Sequence, residues 1–366
     1  MNKPALPFRA KKPILACGAD LKGAFALVKG RDVYLFDGFG DLSDLDNFTR
    51  YEKAVRAAKE KLKIDPRIVA CDLHPGYFST QFAENYTLSL PVRQAGAKRY
   101  TLFKVQHHEA HIASAITDNG IRGEVMGVAF DGTGYGRDGN IWGGEFFIGN
   151  IKSLKRAAHL GYVPMPGGEM CIKEPWRMAA SYLYKNRKMI PDPIFQMIEK
   201  KINSPLTSSV GRLFDAVGSL VLNKERAEFE AQLPIELEKI ADKNESGYYD
   251  FELKKKDGMT IVNMARTIRG ILKDLYKKTP NPRIAAKFHN TIALMILKMA
   301  KRFNFKKIVL SGGVFQNEFL SRKARQLLEE HGFEVYAHSN IATNDSGIPI
   351  GQIAIANARL SAFAIN

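Results

Sequence analysis

One pattern in the 366-residue sequence limits the fold more than any other, because it occurs twice. Three short apolar stretches at 13–19, 23–28 and 33–36, joined by turns rich in Gly and Asp, read as an antiparallel meander. A helix capped by Ser43 or Asp44 and running to about Leu62 follows, then strands at 67–71 and 102–106 and a helix opening near Glu109. The second half repeats the order. A strand at 125–130, a Gly-rich hairpin turn at 131–140, its partner at 141–148 and a third strand at 157–161 lead into a long, mostly helical stretch from about 171 to 302. Strand–helix alternation then resumes with a strand at 307–310, a helix from about Gln316 to Glu330, a strand at 333–337 and a last helix after Ile348. The expectation is an α/β protein of two similar lobes: a basic N-terminal tail at 1–12, an N-terminal lobe at 13–122, and a C-terminal lobe at 123–366 with a helical insertion at about 171–302. Two such lobes commonly bind ligand in the cleft between them.

The charge balance says what kind of ligand. Lys and Arg number 54 against 38 Asp and Glu, a net +16, which suits an anionic partner: nucleotide, nucleic acid or acidic protein. Fifteen of the cations fall between Lys254 and Lys307 with only Asp257 and Asp274 opposing them, so this segment is the candidate for docking an acidic partner or RNA, a solvated helical surface being the plainer alternative. An apolar share of 45% and a charged share of 25% exclude wholesale disorder. The three cysteines are odd in number and widely spaced, which argues against a disulfide framework or a Cys-based zinc finger and for a reducing, cytoplasmic setting. The longest apolar run beyond the N-terminal region, Ile292 to Leu297, is far below the roughly 20 residues of a membrane span, and ILACGA is too short for a signal-peptide core.

Chemistry concentrates at VQHHEAHIA. His107 and His111 are four apart, straddling a strand end and the first turn of a helix, and that spacing lets two imidazoles reach one metal ion. A surface histidine cluster is the competing account; three of eight histidines within five residues favours the ligand site. Asp131, ending an apolar strand, and Asp345, ahead of the last helix, complete a mixed nitrogen–oxygen set suited to iron or zinc, although each alone reads as a turn or cap residue. Glycine-rich turns supply candidate phosphate contacts: Gly132, Thr133, Gly134, Tyr135 and Gly136 in DGTGYG, Gly18 and Lys22 in CGADLKG, and Gly312, Gly313 and Asn317 in LSGGVFQN. DGTGYG leads into a hairpin and not a helix, which argues against a Rossmann or P-loop site. Asp215, among residues that read as buried, needs a partner, a ligand hydroxyl being one candidate, and Glu230 of FEAQ lies in the same insertion. With the two histidines, Lys173 and Arg177 of KEPWRMA are candidate catalytic residues as anion ligands, a solvated helix face being an equally good account.

These motifs, with DLHPGYFST, GNIWGGEF, TSSVGRLFDAVGSL, KFHNT and NDSGIPIGQ, run in an order that resembles the C-terminal domain of the HypF-type carbamoyltransferases of nickel–iron hydrogenase maturation, from about residue 14 to 353. The resemblance implies two ribonuclease-H-like lobes of the actin-like ATPase superfamily, an adenine nucleotide (carbamoyl-adenylate, ATP or AMP) in the cleft, and one divalent metal held by His107, His111, Asp131 and Asp345. It further implies carbamoyl transfer from carbamoyl-adenylate to the C-terminal cysteine thiol of a HypE-like acceptor protein. Full-length members carry acylphosphatase-like, zinc-finger and YrdC-like domains before this region. None is present in the sequence, so the expectation is a transferase half alone: a fragment, a split-gene subunit relying on a separate YrdC-like protein, or a paralogue. Glu109 stands where His is usual, Ser346 where Gly is usual, and FEAQ replaces YEGQ. Two rivals are a TsaD-like tRNA threonylcarbamoyltransferase, which the charge suits but the EPWR and WGGEF blocks oppose, and a non-catalytic nucleotide-binding scaffold.

Overall fold

The computed structural model describes residues 3–88, 100–184 and 186–363. In chain order the first half forms β1 (Ile14–Ala16), β2 (Phe25–Lys29), β3 (Asp32–Phe36), α1 (Leu45–Leu62), β4 (Ile68–Asp72), α2 (Phe78–Leu88), β5 (Thr101–Val105) and α3 (His107–Asp118). Then come β6 (Val125–Tyr135), β7 (Ile141–Asn150), β8 (Ser153–Leu160), β9 (Val163–Pro164), α4 (Met170–Lys173), α5 (Trp176–Tyr182), α6 (Asp192–Glu199), β10 (Leu206–Thr207), α7 (Val210–Leu222) and α8 (Gln232–Ile240). The remainder is β11 (Glu252–Lys256), β12 (Met259–Asn263), α9 (Ala265–Tyr276), α10 (Asn281–Phe303), β13 (Lys307–Ser311), α11 (Glu318–Glu330), β14 (Glu334–Tyr336) and α12 (Ile348–Phe363).

The first sheet has the order β3-β2-β1-β4-β5, and the second contains β8-β7-β6-β13-β14, the same path element for element. In both, a meander of three antiparallel strands is extended by two parallel ones. This is the ribonuclease-H-like arrangement, twice, and the α/β, two-lobed architecture of the actin-like ATPases.

Period-two alternation decides what each face of a sheet meets. On the first sheet Leu15, Leu27 and Val69 pack under α1, where Tyr51, Val55 and Ala58 point inward at helical spacing. Ile14, Ala26, Ile68 and Ala70 face the other way, onto Ile350, Ile353 and Ala354 of α12. On the second sheet Met126, Val128 and Phe130 meet Phe214 of α7 and Phe288 of α10, while Val125 and Ala129 meet Ile112 and Ile116 of α3. The lobes therefore exchange helices. A division near residue 122 describes the chain but not the packing, because α3 covers the second sheet and α12 the first.

Two expectations are corrected, and two further features stand beside them. DGTGY is strand, the tail of β6, with a register irregularity between Phe130 and Gly134, and the turn begins only at Gly136. The helical insertion also contains the hairpin β11–β12, which pairs alongside β8. Its turn is Asp257-Gly258, both left-handed at φ 49° and 78°, a hairpin signal hidden beneath the lysine run. Those exposed lysines line an edge strand, where charge discourages pairing with another chain. Helix α2 escapes sequence reading because its cap is remote: Asp20 accepts hydrogen bonds from Phe78 N (2.7 Å) and Ser79 N (2.9 Å). The basic N-terminal segment is docked, with Leu6 and Phe8 against the core and Ala10 N donating to Gly30 O at 2.7 Å. Among the described residues no helix is long and apolar enough to cross a membrane.

α3 and α12 cross with backbones in near contact, so close that a Cβ on Gly351 would sit 1.9 Å from Ala110 O. Gly351→Ala should lower stability by about 1–3 kcal/mol, read as a reduced urea midpoint at unchanged slope. An unaltered midpoint would show that the crossing yields to the extra methyl.

Candidate metal and nucleotide site

Helix α3 begins where β5 ends. Gln106 caps it, accepting a hydrogen bond from Glu109 N at 3.0 Å, so His107 and His111 both lie on the helix, one turn apart and buried. Asp131 sits at the β6 irregularity, and Asp345 opens a short 3₁₀ turn before α12, with Asn344 as its cap. Three distant segments thus converge: one ligand atom from each of His107, His111, Asp131 and Asp345 lies within 4.8 Å of the others. His107 Nε2 and His111 Nε2 each stand 3.3 Å from Asp131 Oδ2 and 3.5 Å from Asp345 Oδ1.

The donors suit a metal. His111 Nε2 is buried and meets neither carboxylate with hydrogen-bond geometry. His107 Nδ1–H donates to Asp72 Oδ2 at 2.8 Å, which fixes the ring and leaves Nε2 toward the cluster, the usual arrangement behind a ligating imidazole. Burial opposes charge on His107, but Asp345 and Asp72 outweigh it and hold the imidazole well above its ordinary range. Burial likewise opposes charge on His111, and Asp131 and Asp345 raise it. Burial would push Asp345 up, yet the two histidines bring it down to about 2 and take Asp131 well below the carboxylate range. Both carboxylates are therefore ionised, and a cation entering displaces the protons on the rings. Two imidazoles with two carboxylates fit divalent iron or zinc.

A cavity of about 540 Å³ runs from Asp131 and Asp345 into the second lobe, a volume suited to a small-molecule ligand. Its walls are Gly132 and Thr133 of β6, Gly211, Arg212 and Phe214 of α7, the α8 region from Glu230 to Glu238, and Gly313, Val314 and Gln316 after β13. Phe214, Ala231, Pro234, Ile235 and Val314 give the lining the apolar surface that a flat base requires. Leu21 and Lys22 complete the wall from the first lobe, and Lys22 Nζ lies 3.3 Å from Glu230 Oε2. That pair is about half exposed and contributes at most about 1 kcal/mol.

Of the expected nucleotide contacts, Lys22, Gly132, Thr133, Glu230, Gly313 and Asn317 line the cavity. Gly18 does not: Gln352 brackets it, Oε1 accepting from Gly18 N at 2.8 Å and Nε2 donating to Gly18 O at 2.9 Å. Gly134 lies beneath the rings of His107 and His108, Tyr135 O accepts from Gln106 Nε2 at 3.0 Å, and Gly136 packs on Trp142, so DGTGYG is no phosphate loop beyond Thr133. Gly312 spends its N–H on Thr343 O, and its φ of 102° sets its Cα where a Cβ would strike Phe130 O at 2.3 Å. Gly313 N donates to Asp131 Oδ1 at 3.1 Å, steadying a metal-cluster carboxylate. The Asn317 side chain is committed, Nδ2 to His289 Nε2 (2.9 Å) and Oδ1 to Leu320 N (2.8 Å). Asp215 finds its partner in Arg212, at 2.7 Å, and does not line the cavity. Nor do Lys173 and Arg177: Lys173 is exposed, and Arg177 Nε donates to Glu174 Oε2 at 2.6 Å in a layer that buttresses α7. Sequence reading missed Asp72 and Arg212. Asp72 carried a signal, an acidic residue ending an apolar strand like Asp131; Arg212 carried none.

Comparison with known proteins gives two matching family models. Residues 9–118 match the HypF Kae1-like domain, and residues 127–352 match the second subdomain of the carbamoyltransferase Kae1-like domain. The carbamoyltransferase HypF of Synechocystis sp. is 31% identical over 95% of this chain and 48% of its own length. A carbamoyltransferase HypF homolog of Cupriavidus necator is 31% identical over 94% of this chain and 91% of its own. The crystal structure of full-length HypF in its phosphate- and nucleotide-bound form superposes with a TM-score of 0.90 at 36% identity, covering 98% of this chain and 57% of that one. The chain thus spans about half the length of most of the curated relatives it matches.

His111→Ala should abolish retention of the metal, read as content by mass spectrometry after dialysis. Asp72→Asn, which keeps the size but not the charge behind His107, should weaken affinity by about 10–100-fold. Full metal content in the His111 variant would remove that residue from the ligand set.

Proposed function

The chain belongs to the family of HypF carbamoyltransferases with Kae1-like domains, and on that premise we propose that it moves a carbamoyl group from carbamoyl-adenylate to the C-terminal cysteine thiol of a HypE-like acceptor, in the making of the cyanide ligands of nickel–iron hydrogenase. The observation that carries this reading is that the cavity of nucleotide size ends on Asp131 and Asp345, the two carboxylates of the four-donor cluster, so that a bound adenylate presents its reactive end there. A divalent iron or zinc held by His107, His111, Asp131 and Asp345 would stabilise negative charge developing on the carbamoyl oxygen, worth several kcal/mol.

The chain's own residues do the rest. The apolar wall at Phe214 and Ile235 takes the adenine, and Asp72 keeps His107 in register. Holding donor and acceptor together in the cleft can supply up to about 7–11 kcal/mol of the barrier. The acceptor sulfur, as thiolate, bonds to the carbamoyl carbon; the bond from that carbon to the phosphate oxygen breaks, and its electron pair leaves with AMP. None of the chain's thiols suits the nucleophile's role. Cys17, Cys71 and Cys171 are buried and free, and burial holds Cys17 well above the usual thiol range and pushes Cys71 and Cys171 up to about 12. The acceptor brings its own cysteine, and a YrdC-like activity forms the adenylate. Three free thiols also agree with a cytoplasmic site of action.

Supplied with carbamoyl-adenylate and a HypE-like C-terminal peptide, the metal-loaded protein should carbamoylate the peptide's terminal cysteine, by mass spectrometry, and leave a Cys→Ser peptide untouched. Undiminished transfer by a metal-free His107→Ala/His111→Ala double variant refutes the mechanism.

A further inference from the structure

Arg212 stands on the first turn of α7, 3% exposed, yet it forms part of the cavity wall. Its one ion pair among the described residues runs from Nε to Asp215 Oδ2 at 2.7 Å, and neither atom meets the other with hydrogen-bond geometry. The forked end meets no partner among the described residues. Nη2 lies 3.7 Å from where a Cβ on Gly132 would be, beside the Asp131–Thr133 edge of the cavity. Asp215 is a weak counter-charge besides, since burial holds it up to about 6 in spite of Arg212. A buried guanidinium with an empty fork is costly unless an anion completes it.

Several other groups that could meet a phosphate are already engaged, while Gly132 and Thr133 line the cavity beside the Arg212 fork. Lys22 is paired with Glu230, Gly312 N with Thr343 O and Gly313 N with Asp131. Building on the nucleotide reading above, we propose that the Nη groups of Arg212 grip the non-bridging oxygens of the adenylate phosphate, making Arg212 the residue by which the cleft selects 5′-phosphorylated adenosine over adenosine. Planar two-pronged recognition of this kind is what arginine does and lysine does not. The contact also strengthens as the reaction proceeds. In carbamoyl-adenylate the phosphate carries one negative charge; once the sulfur–carbon bond has formed and the carbon–oxygen bond has broken, the electron pair resides on AMP, now a dianion facing Arg212. An interaction that grows toward the leaving group accelerates the step as well as binding the donor.

Calorimetric titration of the whole chain with AMP and with adenosine tests this. Arg212→Gln should lose about 10–100-fold in AMP affinity, the value of charged hydrogen bonds forgone, while adenosine affinity stays at the wild-type value. Arg212→Lys should fall between, and it reads the loss of the fork alone should the Gln variant not fold. Equal AMP affinity in wild type and either variant overturns the proposal. So does a parallel loss of AMP and adenosine in a variant with the wild-type melting temperature, which would make Arg212 a scaffold residue. Wild-type protein that binds adenosine and AMP equally well defeats the phosphate grip but leaves the adenine site standing; binding of neither defeats the nucleotide reading itself.

Discussion

The candidate centre depends on the crossing of α3 over α12. The two histidines ride on one helix and Asp345 precedes the other, so their mutual distances are set by how closely the two backbones approach. Gly351 permits that approach, and Gln352, its neighbour, clasps Gly18 from the opposite lobe with both ends of its amide. A motif that reads as a nucleotide loop in one lobe and a motif ahead of a helix in the other turn out to be the two halves of one joint. The charges at the centre can converge because packing, and not their own attraction, brings them together; four buried ionisable groups would otherwise be a liability.

Much of this was legible in the residues. The duplicated meander followed by alternation announced two lobes, and His107 and His111 stood out by type and spacing, whereas Asp131 and Asp345 each read alone as a turn or cap residue. What stayed hidden was hidden for physical reasons. Asp20 caps α2 from 58 residues away, a contact no local window contains. Gly132 and Gly134 of DGTGYG imitate a turn although they serve as strand, and Gly134 makes room for histidine rings on α3. Gly312, Gly313 and Asn317 looked available to a phosphate, but their hydrogen-bonding groups are consumed by Thr343, Asp131 and His289. Satisfaction of polar groups is a property of the folded state, so a motif's appearance cannot show whether its donors are free.

The insertion between β8 and β13 deserves a similar distinction between wall and support. Its α7 and α8 line the cavity, whereas α5, with the EPWR block, packs behind α7. Ala227 N donates to Lys173 O at 2.9 Å, tying the stretch that carries Glu230 to that second layer. A specific-looking charged motif can therefore act one shell removed from the ligand, through the helix it steadies.

The exchange of helices bears on how the chain is made. Synthesis delivers the five strands of the first sheet early, but the helix that shields one of their faces is α12, encoded near the opposite end of the described chain. Until α12 has left the ribosome, Ile14, Ala26 and Ile68 lack the isoleucines that cover most of that side. The nascent N-terminal half must therefore wait with an apolar sheet face bare to solvent, an opening for chaperones and for self-association alike.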